Sequence, residues 1–443
     1  MRVYLESLGC RLNQSELEDL ARRFAAAGHT PVGERGQADV CVVNTCVVTA
    51  KAERTSRHLL RSLHRANPDA RIAVVGCYAS LDPAELTRLP GVAWTVPNVD
   101  KSRTVEIVAG TPAPSTFPRS PSWERLGGFQ LHTRAFVKVQ DGCNNRCTYC
   151  VTCLVRGSAR SRPLDEVIAE VQGLAEGGYQ EVVLTGVNLG SYGCDLGIGQ
   201  GLRGLVEKIL SDTDLPRLRL SSLEPWKVDG ALLELWADSR LCRQFHLPLQ
   251  SGCDETLRRM GRRISVDQYA RLVEAVRDAI PDVAITSDVM VGFPGEDESA
   301  FAESLAFTEE MAFSRLHVFP FSPRPGTEAA QMSQQVPLRE RRERSRRARR
   351  LGARLAERFC RRFVGQQMEV LWERRRPDGL WHGLTDNYLR VVTSHPGELH
   401  NLVTQTQLLA LRDGVLVGRV EAEIEGGRSA RTCVARSLPG SRR

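Results

Sequence analysis

The sequence predicts an α/β protein in three parts: an N-terminal parallel α/β domain, a central partial (βα)6 barrel of the TIM type, and a small C-terminal antiparallel β-barrel. Three observations predict it. Near the N-terminus, three strand-like segments are each followed by a helical one, and each ends in a cysteine. From Ala135 the strand-then-helix pattern repeats about six times in roughly 200 residues, short of the eight units of a complete barrel. After an arginine-rich run come short strand-like pieces separated by Gly, Asp and Asn turns, as in a small β domain. Strands that alternate with helices pair in parallel, which puts ligands at their carboxyl ends.

The chain has 443 residues and a formal net charge of +7, so several domains are expected and the placing of charge matters more than its sum. No apolar run reaches the roughly 18 residues of a membrane span. Met1-Arg2-Val3-Tyr4-Leu5 enters strand-like sequence with no signal peptide. Thirteen cysteines, an odd number, form no disulfide framework. A cytoplasmic protein that binds metal through thiolates is the expectation, with no membrane partner.

Within residues 1–110, Tyr4 to Leu8 reads as the first strand. Asn13 and Glu16 read as a helix cap and its third residue, ahead of Leu17, Leu20 and Phe24 at helical spacing. Val40 to Thr45 and Ile72 to Gly76 repeat the unit. Cys10, Cys46 and Cys77 fall at the three strand ends and are expected to converge, which suits a cluster with one open iron. Cys41 lies between Val40 and Val42 and reads as core. Residues 111–130, with Pro112, Pro114, Pro118 and Pro121, read as a linker.

The barrel is expected over residues 131–335. Its first strand, Ala135 to Val139, leads into Cys143-Asn144-Asn145-Arg146-Cys147-Thr148-Tyr149-Cys150. Three thiolates hold three irons of a [4Fe–4S] cluster and leave the fourth for a small molecule. Structural zinc, the competing reading, prefers four ligands in Cys-x2-Cys pairs. The spacing Cys-x3-Cys-x2-Cys resembles the signature of the radical S-adenosylmethionine (SAM) enzymes, which implies that Cys143, Cys147 and Cys150 carry the catalytic cluster and that SAM binds beside Tyr149. In that superfamily the strand ends contact SAM. The matching positions are Thr185, Gly186 and Asn188, then Ser222 and Glu224, then Gln250, with Val291-Gly292-Phe293-Pro294-Gly295 closing the fifth strand. Arg156, Arg160, Arg162 and Arg324 are cationic candidates for an anionic substrate group.

Residues 336–362 read as a basic helix, with Ala348, Leu351, Leu355 and Phe359 at docking spacing. So much arginine with little balancing acid suits phosphate contact. Residues 363–425 hold three strand-like pieces, Gln367 to Trp372, Tyr388 to Val392 and Val415 to Val420. Small barrels of this kind often carry nucleic acid on one face. Residues 426–443, rich in Arg, Ser and Gly, read as a tail.

Taken in order, these motifs resemble the methylthiotransferase family over nearly the whole chain. The matches include Gly9-Cys10-x-x-Asn13-x-x-Glu16, Asn44-Thr45-Cys46, Gly76-Cys77, Val155-Arg156-Gly157, Ser222-x-Glu224-Pro225 and Leu247-Pro248-Leu249-Gln250-Ser251-Gly252. The resemblance implies two [4Fe–4S] clusters, the auxiliary one on Cys10, Cys46 and Cys77, and the use of two SAM molecules. It also implies a C-terminal TRAM domain that binds tRNA, and an electron donor such as flavodoxin or ferredoxin. His132 to Asp141, Cys10 to Glu16, His317 to Arg324 and Thr385 to Val391 resemble the branch acting on N6-threonylcarbamoyladenosine at position 37 of tRNA. The other branches act on isopentenyladenosine 37 or on a ribosomal-protein aspartate. Cys153 stands where the family usually has proline. A non-catalytic iron–sulfur RNA-binding protein is the reading from another class, and it would not need the strand-end SAM contacts.

Overall fold

A computed structural model describes residues 1–112, 132–197 and 199–423 of the 443. Most of the expected linker and all of the expected tail lie outside the described residues.

The first sheet has five parallel strands in the order Thr30–Val32, Arg2–Ser7, Val40–Thr45, Arg71–Gly76, Val92–Val96. The expected strands are the middle three, and two short edges complete them. Side chains alternate across the sheet. Val3, Leu5, Val40, Val42 and Val75 pack with Leu17, Leu20 and Phe24 of the helix Arg11–Ala26. Cys41, Val43, Ile72 and Val74 pack with Leu59, Leu60 and Leu63 of the helix Ala50–Ala66 on the other face. Each large side chain so buried contributes about 1.5–3 kcal/mol. The strand order reverses between Arg2–Ser7 and Val40–Thr45, so a crevice opens at their carboxyl ends. Cys10 and Cys46 follow those two ends.

The first helix departs from its capping pattern. It starts at Arg11 with Cys10 in the cap position. Asn13 and Glu16 are buried instead; the Asn13 amide donates to the carbonyls of Leu8 (2.7 Å) and Thr45 (3.2 Å). Tertiary hydrogen bonds override a local capping preference.

Six parallel strands form the partial barrel. Ala135–Lys138, Glu181–Thr185 and Arg217–Leu220 make one half, and Gln244–His246, Ala284–Val291 and Arg315–Pro320 the other. Parallel bridges Leu218–Leu241 and Ser222–His246 join the halves. Among the described residues the first and sixth strands do not pair. The helix Arg11–Ala26 packs against the first strand, where the Ser15 hydroxyl donates to the Phe136 carbonyl at 2.7 Å.

The helix Leu338–Arg361 buries Ala348, Leu351, Leu355 and Phe359, and Leu316 of the sixth strand lies against its Gly352. Its arginines have more balancing acid than the sequence suggests. Arg344 pairs with Glu296 (3.0 Å), Arg347 with Glu298 (2.5 Å), Arg354 with Glu309 (3.4 Å), and Arg346 with Glu343. The partners Glu296, Glu298 and Glu309 lie 45 to 49 residues earlier, on the fifth barrel unit.

Beyond it, five strands close a barrel in the order Gln367–Arg375, Trp381–Thr385, Arg390–Thr393, Val415–Glu423, Val403–Arg412. Its neighbours are antiparallel except for Arg390–Thr393 beside Val415–Glu423. Two of these strands, Trp381–Thr385 and Val403–Arg412, add to the three expected pieces. The small barrel docks on the amino ends of the large one. Arg243 pairs with Asp386 (2.6 Å), Arg134 with Glu373 (2.8 Å), and the Asn387 amide donates to the Asp282 carbonyl (3.1 Å).

Candidate active site

Cys143, Cys147 and Cys150 occupy the loop after the first barrel strand, at the carboxyl-end face. The loop folds back through Gly142, whose φ is +69°; a Cβ there would lie 2.0 Å from the Ser158 carbonyl oxygen, so only glycine fits. Thr148 ties the loop to the Arg259 carbonyl at 2.9 Å, and its backbone N–H donates to the Met260 carbonyl at 3.1 Å. Burial raises each of the three thiols, and each also feels a neighbouring thiol of the set. Donors surround them: the Asn145 N–H points to Cys143 Sγ (3.4 Å), and the Asn188 amide lies 3.8 Å from the same sulfur. Such donors favour thiolates, the form that ligates iron.

The polar atoms facing the loop fit a bound ligand. Asn188 Oδ1, Ser221 Oγ and Arg262 Nε are buried with no hydrogen-bond partner among the described residues. Buried polar groups are rarely left unpaired, so these are free for a polar cofactor such as SAM. Glu224 sits beside the three cysteines and pairs with Arg262 at 2.9 Å. Burial pushes its carboxyl up despite the guanidinium. Gln250 has a left-handed backbone (φ +75°), and its peptide groups are held by Asp288 and Met290 at 2.8 Å each. Gly186 abuts Gln140, whose side chain accepts from the Asn188 N–H at 2.8 Å. Ser222 bridges to His246. The Thr185 hydroxyl already donates to the Val137 carbonyl (3.3 Å), and the Tyr149 ring packs edge-on against Phe293. Cys153 donates to the Asn145 carbonyl at 3.0 Å. Burial and the three nearby thiols push it up to about 12, so it stays protonated beside the set.

Cys10, Cys46 and Cys77 converge as their strand ends predict. Burial pushes the Cys46 thiol up to about 11, with Cys77 and Cys10 adding to it. Gly9, at φ +112°, lets the first turn cross Cys46; a Cβ there would be 2.7 Å from that of Cys46. The Asn98 amide donates toward Cys77 Sγ at 3.6 Å.

One buried ion network joins the two sets. Glu16, on the helix after Cys10, lies 2.6 Å from Lys101, 2.9 Å from Arg156 and 3.2 Å from Lys138. Arg156 also pairs with Asp141 of the central loop (2.9 Å) and donates to Asn13 Oδ1 (2.8 Å). Burial opposes the Glu16 charge, and Lys101, Lys138 and Arg156 outweigh it, holding the carboxyl well below its usual range.

Of the four arginines expected at the substrate, Arg156, Arg162 and Arg324 are held in ion pairs, and Arg160 is exposed with no ion pair among the described residues. Arg156 is 3% exposed and committed to Glu16 and Asp141. Arg324, equally buried, pairs with Glu53 of the helix Ala50–Ala66 at 2.5 Å. Arg162 pairs with Glu170 at 2.6 Å. Arg160 lines, with Arg162, Lys138 and Glu16, a cleft of about 960 Å³ whose walls hold none of the six cysteines. Residues buried in internal ion pairs have no free face for a substrate.

Sequence reasoning missed Arg262, Lys101, and a group on three adjacent barrel strands, His246, Asp288 and His317. His246 and His317 lie 3.3 Å and 3.2 Å from Asp288 Oδ1. A carboxylate within the apolar run Ala284 to Val291 was the available signal. Lys101 offered none, since its partner Glu16 is 85 residues away.

Two segments of the chain match known families. Residues 2–96 match the uncharacterized protein family UPF0004, and residues 137–308 match the radical SAM superfamily. A threonylcarbamoyladenosine tRNA methylthiotransferase (MtaB) of Bacillus subtilis is 34% identical over 95% of this chain and 98% of its own. The protein of the same name from Thermotoga maritima is 34% identical over 95% and 99%. A tRNA-2-methylthio-N(6)-dimethylallyladenosine synthase of Thermobifida fusca is 36% identical over 84% and 78%. Among solved structures, a radical SAM methyltransferase (TsrM) from Kitasatospora setae shares the fold at 16% identity, with a TM-score of 0.53 over 74% of this chain and 77% of that one.

Proposed function

This chain belongs to the methylthiotransferases of the radical SAM superfamily, and we propose that it adds a methylthio group to C2 of N6-threonylcarbamoyladenosine at position 37 of tRNA. SAM and a [4Fe–4S] cluster come with the superfamily. On this reading Cys143, Cys147 and Cys150 hold that cluster, and Cys10, Cys46 and Cys77 hold a second. When bound, the clusters would supply the reducing electron and the sulfur site and SAM the carbon radical, as cofactors do for chemistry that side chains cannot perform.

The chain's own residues position and insulate. Asn188 and the Asn145 N–H direct hydrogen bonds at Cys143, and Arg262 holds Glu224 beside the loop. The observation that carries the proposal is the Glu16–Arg156–Asp141 link, which sets two groups of three cysteines on either side of one buried network. A purely RNA-binding iron–sulfur protein would not need two such groups linked by one buried network, nor unpaired polar atoms beside one of them. The small C-terminal barrel is read as the tRNA-binding TRAM domain, and a carrier such as flavodoxin or ferredoxin as the electron source.

The substrate branch rests on the full-length match to threonylcarbamoyladenosine enzymes. Anaerobically reconstituted enzyme, given SAM, a reductant and a sulfide source, should form 2-methylthio product on tRNA bearing threonylcarbamoyladenosine and little on isopentenylated tRNA. A preference for the isopentenyl form would move the enzyme to the neighbouring branch.

A further inference from the structure

We infer that the floor of the barrel lumen is an anion site in which Arg11 and Arg315 receive the carboxylate of the substrate's N6 substituent. This rests on the substrate reading above. Tyr388 of the small barrel enters the large barrel at its amino end, its backbone in the left-handed region at φ +68°. Strain of this kind persists only where the surroundings enforce it. Three guanidiniums surround the ring: Arg219 at 4.9 Å, Arg11 at 5.1 Å and Arg134 at 5.6 Å from its centre. Arg11 donates to the phenol oxygen.

The charges around Tyr388 do not balance. Arg219 pairs with Glu181 (2.7 Å) and Arg134 with Glu373 (2.8 Å). Arg11 and Arg315 have no carboxylate within ion-pair reach among the described residues. Burial above all, with neighbouring guanidiniums adding to it, makes both cations harder to keep charged. Both are half-buried; partly desolvated cations without counter-charge carry a cost that an anionic ligand removes.

Geometry places Arg315 in the lumen. Leu316 faces the helix Leu338–Arg361, so Arg315 and His317 face the opposite way. Across the strand pair Arg315 lies opposite Thr286 and His317 opposite Asp288. The wall therefore rises from Arg315 through His317, Asp288 and His246 to Glu224, which feels both His246 and Asp288 as well as the central cysteines. From Arg315 to Phe319 is roughly 13 Å at 3.3 Å per residue, which suits an adenine with its substituent. Arg11 opens the helix that Cys10 caps, so the N-terminal domain supplies one side of this floor. An isopentenyl group has nothing to offer this floor, and would leave it unpaired.

The test uses the full-length reconstituted enzyme and compares kcat/KM on threonylcarbamoyladenosine tRNA with that on isopentenyladenosine tRNA. In R315Q the ratio should fall by about 10-fold or more, the range of one lost charge-assisted hydrogen bond, mostly through KM. R315K should recover much of it, and R11Q should resemble R315Q. Equal losses on both tRNAs, or an unchanged ratio, would overturn the inference. Wild-type enzyme inactive on threonylcarbamoyladenosine tRNA would instead overturn the substrate reading, and this inference with it.

Discussion

Arg156 Nη1 lies 2.9 Å from Glu16 Oε1, and both side chains are 3% exposed. This pairing joins the helix that begins after Cys10 to the short helix that follows Cys150. Glu16 is also the counter-ion of Lys101 and Lys138. Replacing it by leucine leaves buried Lys101 without a carboxylate, and Lys138 and Arg156 with Asp141 alone. The expected loss is about 3–5 kcal/mol, as for other broken buried pairs. It should be read as a lower urea midpoint of the folded protein. An unchanged midpoint would mean that the two cysteine sites are not joined through Glu16.

The central loop makes a sharper prediction. Replacing Cys143, Cys147 and Cys150 by alanine should halve the iron of reconstituted protein and abolish reductive SAM cleavage. Gly142→Ala should have much the same effect, because the added Cβ meets the Ser158 carbonyl at 2.0 Å. Full iron content in both variants would place the cluster elsewhere.

Stability should depend on pH through Glu181. Burial favours its neutral form, but Arg219, Arg134 and Arg217 outweigh burial and hold the carboxyl at about 2. A depressed folded value means that the stabilisation is complete above the ordinary value of 4.5 and is lost as pH falls from there towards 2. Wild type should therefore exceed E181Q in thermal stability at pH 7, with the gap beginning to close only below about pH 4.5. A gap that stays constant down to about pH 3 would assign the difference to packing.

On the basic helix only part of the charge is free for RNA. Arg342 and Arg358 are exposed and stand outside the helix's ion pairs with Glu296, Glu298, Glu309 and Glu343. Reversing them should lower the salt dependence of tRNA binding by roughly 0.7–0.9 in slope for each phosphate no longer neutralised. Reversing Arg344 or Arg347 should instead loosen the helix from Glu296 and Glu298. The barrel beyond the helix is not a removable module, since deleting it would uncover Arg219 and Arg243.

Most of the architecture is legible in the sequence because it is written in local patterns. The strand ends at Cys10, Cys46 and Cys77, and the six barrel strands, follow from periodicity and Gly or Pro punctuation. Trp381–Thr385 escapes that reading because glycine and histidine interrupt its apolar run. The first helix begins earlier than its pattern suggests because Asn13 and Glu16 imitate a cap while serving Thr45 and Arg156. Two of the arginines expected at the substrate, Arg156 and Arg324, are committed elsewhere for a related reason. Sequence shows that Arg156 and Arg324 lie near the cluster loops, but not that Glu16 and Glu53 have already claimed them. Arg11 and Arg315 stand out only once the fold shows which cations have no carboxylate beside them.

The most direct test is nucleoside mass spectrometry of tRNA from a strain lacking this gene. The 2-methylthio derivative of N6-threonylcarbamoyladenosine should vanish, leaving the unthiolated nucleoside. It should return with the wild-type gene and not with a C10A/C46A/C77A variant that still cleaves SAM. Persistence of the methylthio nucleoside in the deletion strain, or its return with the triple variant, would contradict a methylthiotransferase built on two groups of three cysteines.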